Sequence, residues 1–293
     1  MKKAVSFVIC AVMLLGMYMS AGADDIQSRA VIGADLTEEQ IRVVYQAFGV
    51  PQGSVTQLRL TNAEERKYLE GFVASSVIGT RSISCVYVEL LTPGTGVNVT
   101  TSNITWCTGE MYTNALATAG ITDAKIVVAA PFPVSGTAAL AGIYKAYEDM
   151  TGQTLDDQAK LVSTQELTVT GELAQEIGSM DSTSIVQELK LILSETEKMT
   201  DEQIREEIEN IASRYHVSLT ETQIKQLISL CRSLEGLDSA SLKSTVEGVQ
   251  STFDKVSNAK SQVVGFIDTV KSVIASLQSV IEKIQSVLDK FGY

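Results

Sequence analysis

Two glutamates, Glu89 and Glu110, flank a turn-containing run, with Trp106, Tyr87 and Tyr112 near them in sequence. Paired carboxylates suffice for glycoside hydrolysis: one protonates the leaving oxygen while the other activates water or attacks the sugar. Aromatic rings beside such acids can hold the sugar. The same glutamates also fit an ordinary solvated strand surface, so they are candidates and no catalytic residue is assigned. The one histidine, His216, stands in "RYHVSLT" between two helical patterns. A Ser-His-Asp triad would have to assemble around it. Closing a helix, where a histidine meets the negative end of the dipole, is its simpler role. A multi-histidine metal site is excluded within one chain, and no metal is expected. There is no P-loop and no GxGxxG, so no nucleotide or other cofactor is expected. The densest acids, Glu202, Glu206, Glu207 and Glu209, lack a histidine or cysteine companion and read as a solvated helix face.

A third candidate lies in "VVAAPFPVSGTAALAGIYKAYE", residues 127–148. An apolar run meets Pro131 and Pro133, which are expected to stop strand pairing and hold the chain extended. Ser135, Gly136 and Thr137 then offer hydroxyls and free N–H groups at a helix start, where an anion or carboxylate could bind. In open sheets, ligands gather at the carboxyl ends of strands, where this loop would sit. The competing reading is structural: Ser135 caps the helix, and the small residues Ala138, Ala139, Ala141 and Gly142 let it pack closely on a sheet.

The compartment is written at the start of the chain. Lys2 and Lys3 precede an almost wholly apolar stretch, Ala4–Ala21, then the small-x-small signal Ala21-Gly22-Ala23. This is the pattern of a secretory signal peptide, residues 1–23, cut after Ala23; a retained anchor is the alternative. Cleavage removes two lysines and takes the net charge from −12 to −14. An acidic exported protein repels nucleic acid, which is therefore not an expected partner. Outside the cell a disulfide is permitted. Cys85 and Cys107 lie in neighbouring strand-like runs and are the candidate pair; Cys231 sits on a helical pattern and is expected to be buried.

Elements that would position these residues can be read from periodicity. Residues 24–152 interleave strands and helices and predict an α/β or α+β domain with a mixed sheet. Val31-Ile32 and Val55–Leu60 read as strands, and "AKIVVAA" as a buried central strand. "SISCVYVELL" and "VNVTTSNITW", joined by Pro93-Gly94-Thr95-Gly96, predict a hairpin. Thr37 with Gln40 forms a capping box, Thr61 or Asn62 caps the next helix, and a helix at 109–119 is closed by Gly120. The second region, 153–238, is all helical, with stretches near 156–177, 182–198, 200–215 and 220–235. Thr200/Gln203 and Thr220/Gln223 repeat the capping pattern. "TEEQIRVV", "TDEQIREE" and "TETQIKQL" look alike, which shared capping chemistry explains more simply than descent from a repeat.

The tail, 239–293, carries a heptad seam. Val246, Phe253, Lys260, Ile267, Ile274, Ile281 and Leu288 are seven apart, interleaved by Val249, Val256, Val263, Val270, Leu277, Ile284 and Phe291. Its stripe is widened by Phe266, Val273, Val280 and Val287, which suits one long helix or a helical hairpin packed back on its own chain. Self-association, or an envelope partner held by this seam, is the sharper reading. Its charges cancel, so peripheral membrane contact is not favoured.

Taken together, "GADLTEEQ", "NAEERKYLEG", "VIGTRSIS", "NITWCTGEMY", "VVAAPFPVSGTAALAGIYKAYE" and "TVTGELAQEIG" resemble the YpuA-like family of exported bacterial proteins (DUF1002) over roughly residues 30–235. The resemblance implies a signal peptide and a Gram-positive source. It implies no activity and no catalytic residues, and Cys85 and Cys107 are not part of its pattern. The function expected is that of a secreted, envelope-associated binding or scaffold protein without enzymatic activity. A carboxylate-dependent hydrolase of wall glycan and a small-ligand receptor are the alternatives.

Overall fold

The computed structural model describes residues 27–73 and 75–237, with the isolated positions 242, 245 and 246. The signal segment lies outside these, as does the heptad tail apart from Leu242, Thr245 and Val246. In chain order the elements are β1 (Ser28–Gly33), α1 (Glu38–Phe48), β2 (Thr56–Leu60), α2 (Asn62–Leu69), α3 (Ser75–Ile78), β3 (Cys85–Leu90), β4 (Val97–Ile104), α4 (Gly109–Thr118) and β5 (Ala124–Val134). Helices follow: α5 (Ala139–Thr151), α6 (Asp157–Ile177), α7 (Ser179–Leu191), α8 (Leu193–Thr196), α9 (Asp201–Arg214) and α10 (Glu221–Glu235).

The five strands form one mixed sheet in the order β2-β1-β3-β5-β4. The β1–β2 and β4–β5 pairs are parallel, and β3 runs antiparallel to both of its neighbours. Four strands therefore end on one edge, where β3 begins. Alternation sends Val31, Val86, Val88, Ile126 and Val128 to one face and Ala30, Ile32, Cys85, Tyr87, Val127 and Ala129 to the other. The first face is covered by α4 and α5, the second by α1. Burial on both faces is why "AKIVVAA" is apolar without a break.

Two expectations are corrected. β3 and β4 do not form a hairpin: β5, the most apolar strand, stands between them and pairs with both. The turn signal at Pro93–Gly96 is local, whereas strand order follows burial, and the polar β4 is left at the edge. Nor do Pro131 and Pro133 stop the strand. β5 continues to Val134, having outrun β3, whose pairing ends at Cys85 opposite Ala129. The missing proline N–H groups then face no ladder partner on that side. On the other side, Asn103 Nδ2 donates to Ala130 O at 2.9 Å and Thr105 N–H donates to Val134 O at 2.9 Å. Asn103 takes φ +58° at the shift in register there.

The helical region has a second core built from α6 to α10, which Leu242 and Val246 join from the start of the tail. α6 belongs to both cores: Leu167 reaches the sheet cluster, while Val162, Val169 and Leu173 reach the helical one. The capping boxes at Thr37, Thr200 and Thr220 are reciprocal, and Thr61 with Glu64 makes a fourth. Among the described residues no helix is long and apolar enough to cross a membrane.

Candidate functional site

The face of α6 that bears on the rest of the molecule is unusually polar. Lys160, Ser163, Thr164, Glu166, Thr168 and Thr170 are all buried. The threonines solve part of this locally: Thr164, Thr168 and Thr170 each donate to the carbonyl four residues back, at 2.7–2.9 Å. Glu166 needs partners from other helices. Lys190 Nζ donates to Glu166 Oε1 at 2.9 Å and to Asn114 O at 2.9 Å, and the Thr118 hydroxyl bonds the other carboxylate oxygen. Burial pushes the Glu166 carboxyl up and the Lys190 ammonium down, and each is pulled back by the other. Nearby, Tyr144 donates to Ser163 at 2.8 Å, which donates in turn to Ala115 O. These bonds fix α6 against α4, α5 and α7.

Held in this way, α6 is the floor of a groove, with Glu172 and Gln175 exposed along it and buried Thr168 at its inner margin. One end is a cleft of about 540 Å³, lined by Trp106, Thr105, Pro133, Val134 and Ser135 from the carboxyl edge, by Val73 from the loop after α2, and by Thr168, Glu172 and Gln175 below. It runs into a second hollow of about 490 Å³ that shares Thr168 and Glu172 and is walled by Phe72 and by Lys225, Gln226 and Ser229 of α10. Trp106 is seated on α6 at Gly171. A Cβ there would lie 2.2 Å from the indole, so only glycine lets the ring approach the helix so closely. Gln226 Nε2 donates to Glu172 Oε2 at 2.5 Å, tying α10 to the floor.

Ser135 is the one member of the 135–137 loop that lines the cleft. Gly136 is structural: it takes φ +96°, Tyr112 donates its hydroxyl to its carbonyl at 2.5 Å, and a Cβ there would lie 2.5 Å from Ile104. Thr137 is buried. At this turn Ala139 N–H donates to Gly136 O at 2.9 Å and Leu140 N–H to Thr137 O at 3.4 Å, the ordinary first bonds of a helix start. Ser135 does not cap α5, whose N-cap is Ala138 without a side-chain bond, but the small residues do pack closely: Ala138, Ala139 and Ala141 are buried and a Cβ on Gly142 would lie 3.2 Å from Val86 of β3.

The acids expected as a pair are separated by the sheet. Glu89 projects with Cys85 and Tyr87 from the α1 face, bonded by Tyr87 at 3.0 Å and 3.6 Å from Lys125 across the strand. Glu110 starts α4, which packs on the other face. Tyr87 and Tyr112 are buried, leaving Trp106 to face the groove. Cys85 and Cys107 also belong to clusters on opposite faces, so the expected bridge is absent and both thiols are free. Burial pushes each up to about 12. Cys231 is buried, as expected, with its sulfur 3.3 Å from the Thr196 hydroxyl. His216 is an exposed residue at φ +58° just past α9. Among the described residues no three histidine, cysteine or acidic side chains are grouped to hold a metal ion.

Two features escaped the sequence reading. Gly171 inside a helical pattern was the available signal for a close approach. The other is Glu65 on α2, fully buried at the carboxyl edge with Ser82 donating to it at 2.5 Å and Asn62 at 3.2 Å. Burial pushes its carboxyl up to about 7, helped by the nearby Asp35.

A family model described as protein of unknown function (DUF1002) matches residues 32–256. Over 273 residues the chain is 35% identical to the uncharacterized protein YpuA of Bacillus subtilis (strain 168), covering 92% of this chain and 91% of that one. No solved structure matches.

Proposed function

We propose that this chain, which belongs to the DUF1002 family, is an exported protein of the cell envelope that binds a ligand outside the membrane without turning it over. The observation that carries the binding half of this reading is the groove over α6, with the Trp106 ring seated on Gly171 at one end. Export is supported by Lys2, Lys3, the apolar run to Ala21 and the Ala21-Gly22-Ala23 signal. A hydrolytic pair is disfavoured because the sheet stands between Glu89 and Glu110. In this reading the tail, 239–293, is a second contact surface, for another copy or an envelope partner, anchored by Leu242 and Val246.

The test is to express the full chain in a Gram-positive host and sequence the N-terminus of the protein recovered from wall, membrane and medium. A mature start at Asp24 in the wall or membrane fraction is expected. An intact Met1 start confined to the cytoplasm overturns the export half. Unchanged amounts of a purified wall preparation before and after incubation with the protein are also expected, and release of soluble fragments overturns the non-enzymatic half.

A further inference from the structure

We infer that the groove over α6 is a site for a linear, neutral, N-acetylated glycan, an inference that rests on the binding reading above. The first argument is charge. The chain carries a net charge of −12, yet among the described residues the groove presents one carboxylate, Glu172, already bonded by Gln226, and one cation, Lys225, on its wall. Such a surface neither attracts a polyanion nor pairs with a polycation. The second is the form of the floor. α6 satisfies its own backbone, and the unpartnered overhang of β5 beside it carries Pro131 and Pro133 where N–H groups would face an added strand, so an extended peptide finds no complete ladder to join. Recognition falls to side chains instead.

Those side chains are of two kinds, arranged as a sugar requires. Trp106 gives an aromatic wall for the C–H face of a pyranose, with Val73 and Pro133 beside it for an acetyl methyl group. Ser135 and Gln175 give hydroxyl and amide partners for ring hydroxyls and acetamides, while the Thr105 hydroxyl donates to Val134 O at 3.0 Å and offers a ligand its lone pairs alone. From Gln165 to Gln175 the floor runs about 15 Å at 1.5 Å per residue, a length for an oligosaccharide of a few residues rather than a single sugar. Gly171 sets where this wall stands, because without a Cβ it lets the indole lie against the helix backbone.

Trp106 is the only tryptophan in the chain, so its emission reports on the groove directly. The mature chain, residues 24–293, is titrated with a β-1,4-linked tetramer of N-acetylglucosamine, followed by tryptophan fluorescence and calorimetry. A saturable change in emission is expected. Ser135→Ala combined with Gln175→Ala should weaken binding about tenfold, the loss of one to two hydrogen bonds. Both positions are at the cleft rather than in a core, and circular dichroism confirms that the variant is folded. Binding that leaves the emission and the double variant unaffected overturns the placement. An uncharged peptide that changes the emission while the tetramer does not overturns the glycan but leaves the binding reading standing. An emission indifferent to the tetramer, the peptide and a solubilised wall fraction overturns both.

Discussion

Glu166 and Glu65 are both shut away from water, in two regions that meet at α6. Glu166 lies between helices and faces the Lys190 ammonium and the Thr118 hydroxyl. Glu65 lies at the carboxyl edge of the sheet and faces only neutral donors, Ser82 and Asn62, with Asp35 adding a like charge nearby. Burial raises the pKa of each, but the remedy differs. The helical interface holds its acid as half of an ion pair. The sheet edge holds its acid by taking a proton as the pH falls through neutrality. A buried pair is sensitive to losing either partner, while a buried acid without a counter-ion is sensitive to pH.

The largest effect expected from this contrast is at the ion pair. Glu166→Ala leaves Lys190 buried without its partner and should destabilise the fold by about 3–5 kcal/mol. Replacing both together, Glu166→Leu with Lys190→Met, should recover most of that loss, because no charge remains to be desolvated. Urea denaturation of the two variants decides it. If the double variant is as unstable as the single one, the interface depends on the shape of these side chains and not on their charge.

Glu65 should behave differently. Its pKa is about 7 in the fold against 4.5 for an unperturbed glutamate. Since the folded value is the higher one, the stability linked to its proton is fully present below pH 4.5 and is lost as pH rises through 7. The loss amounts to as much as about 3–4 kcal/mol at about 1.4 kcal/mol per unit. Glu65→Gln keeps the shape and removes the titration, so its stability relative to the parent should rise between pH 5 and pH 8. Equal differences at both pH values would mean that Glu65 stays ionised in the fold and that the two buried acids are not distinguished by their partners.

The sheet region was more legible than the interface, for a physical reason. Alternation in "CVYV" and "KIVVAA" reports burial directly, and the Thr-x-x-Gln boxes at Thr37, Thr200 and Thr220 depend only on residues three apart. Strand order does not: the Pro93–Gly96 turn predicts a hairpin, and only the greater apolarity of β5 places it between β3 and β4. The interface is harder still. A Glu or Lys in a helical pattern reads as solvated, and nothing near Glu166 in sequence announces Lys190, 24 residues away. Of the groove, the sequence offers Ser135 through its loop and Trp106 through its neighbouring glutamates, of which the sheet keeps Glu89 on the far face. The floor of the groove on α6 was missed because Gly171 was not read as a contact.

Gly171 also sharpens the comparison, since two effects oppose each other there. Alanine favours a helix interior over glycine by about 1 kcal/mol. Its Cβ, however, would stand 2.2 Å from the Trp106 ring, and such overpacking costs about 1–3 kcal/mol. Gly171→Ala should therefore come out slightly destabilised, with tryptophan emission shifted to the red as the ring moves toward water. A stabilised variant with unchanged emission would show that the ring yields easily and that the groove wall is not fixed by α6.

The smallest effect is expected where the two regions should not differ at all. Thr37 caps α1 on the sheet, and Thr200 caps α9 in the helical region, each with a reciprocal glutamine three residues on. Both side chains act on groups at the surface, and neither meets the charges buried along α6. A cap lost to alanine costs about 1 kcal/mol, so Thr37→Ala and Thr200→Ala should be destabilised alike and independently of pH from 5 to 8. If both sites show this common value, the larger differences at Glu166 and Glu65 belong to their buried surroundings rather than to unequal stability of the two regions. If Thr200→Ala lowers the denaturation midpoint while the sheet stays folded, as followed by amide exchange in β3 and β5, the helical region unfolds by itself. The contrast between the two acids would then have to be measured within each region separately.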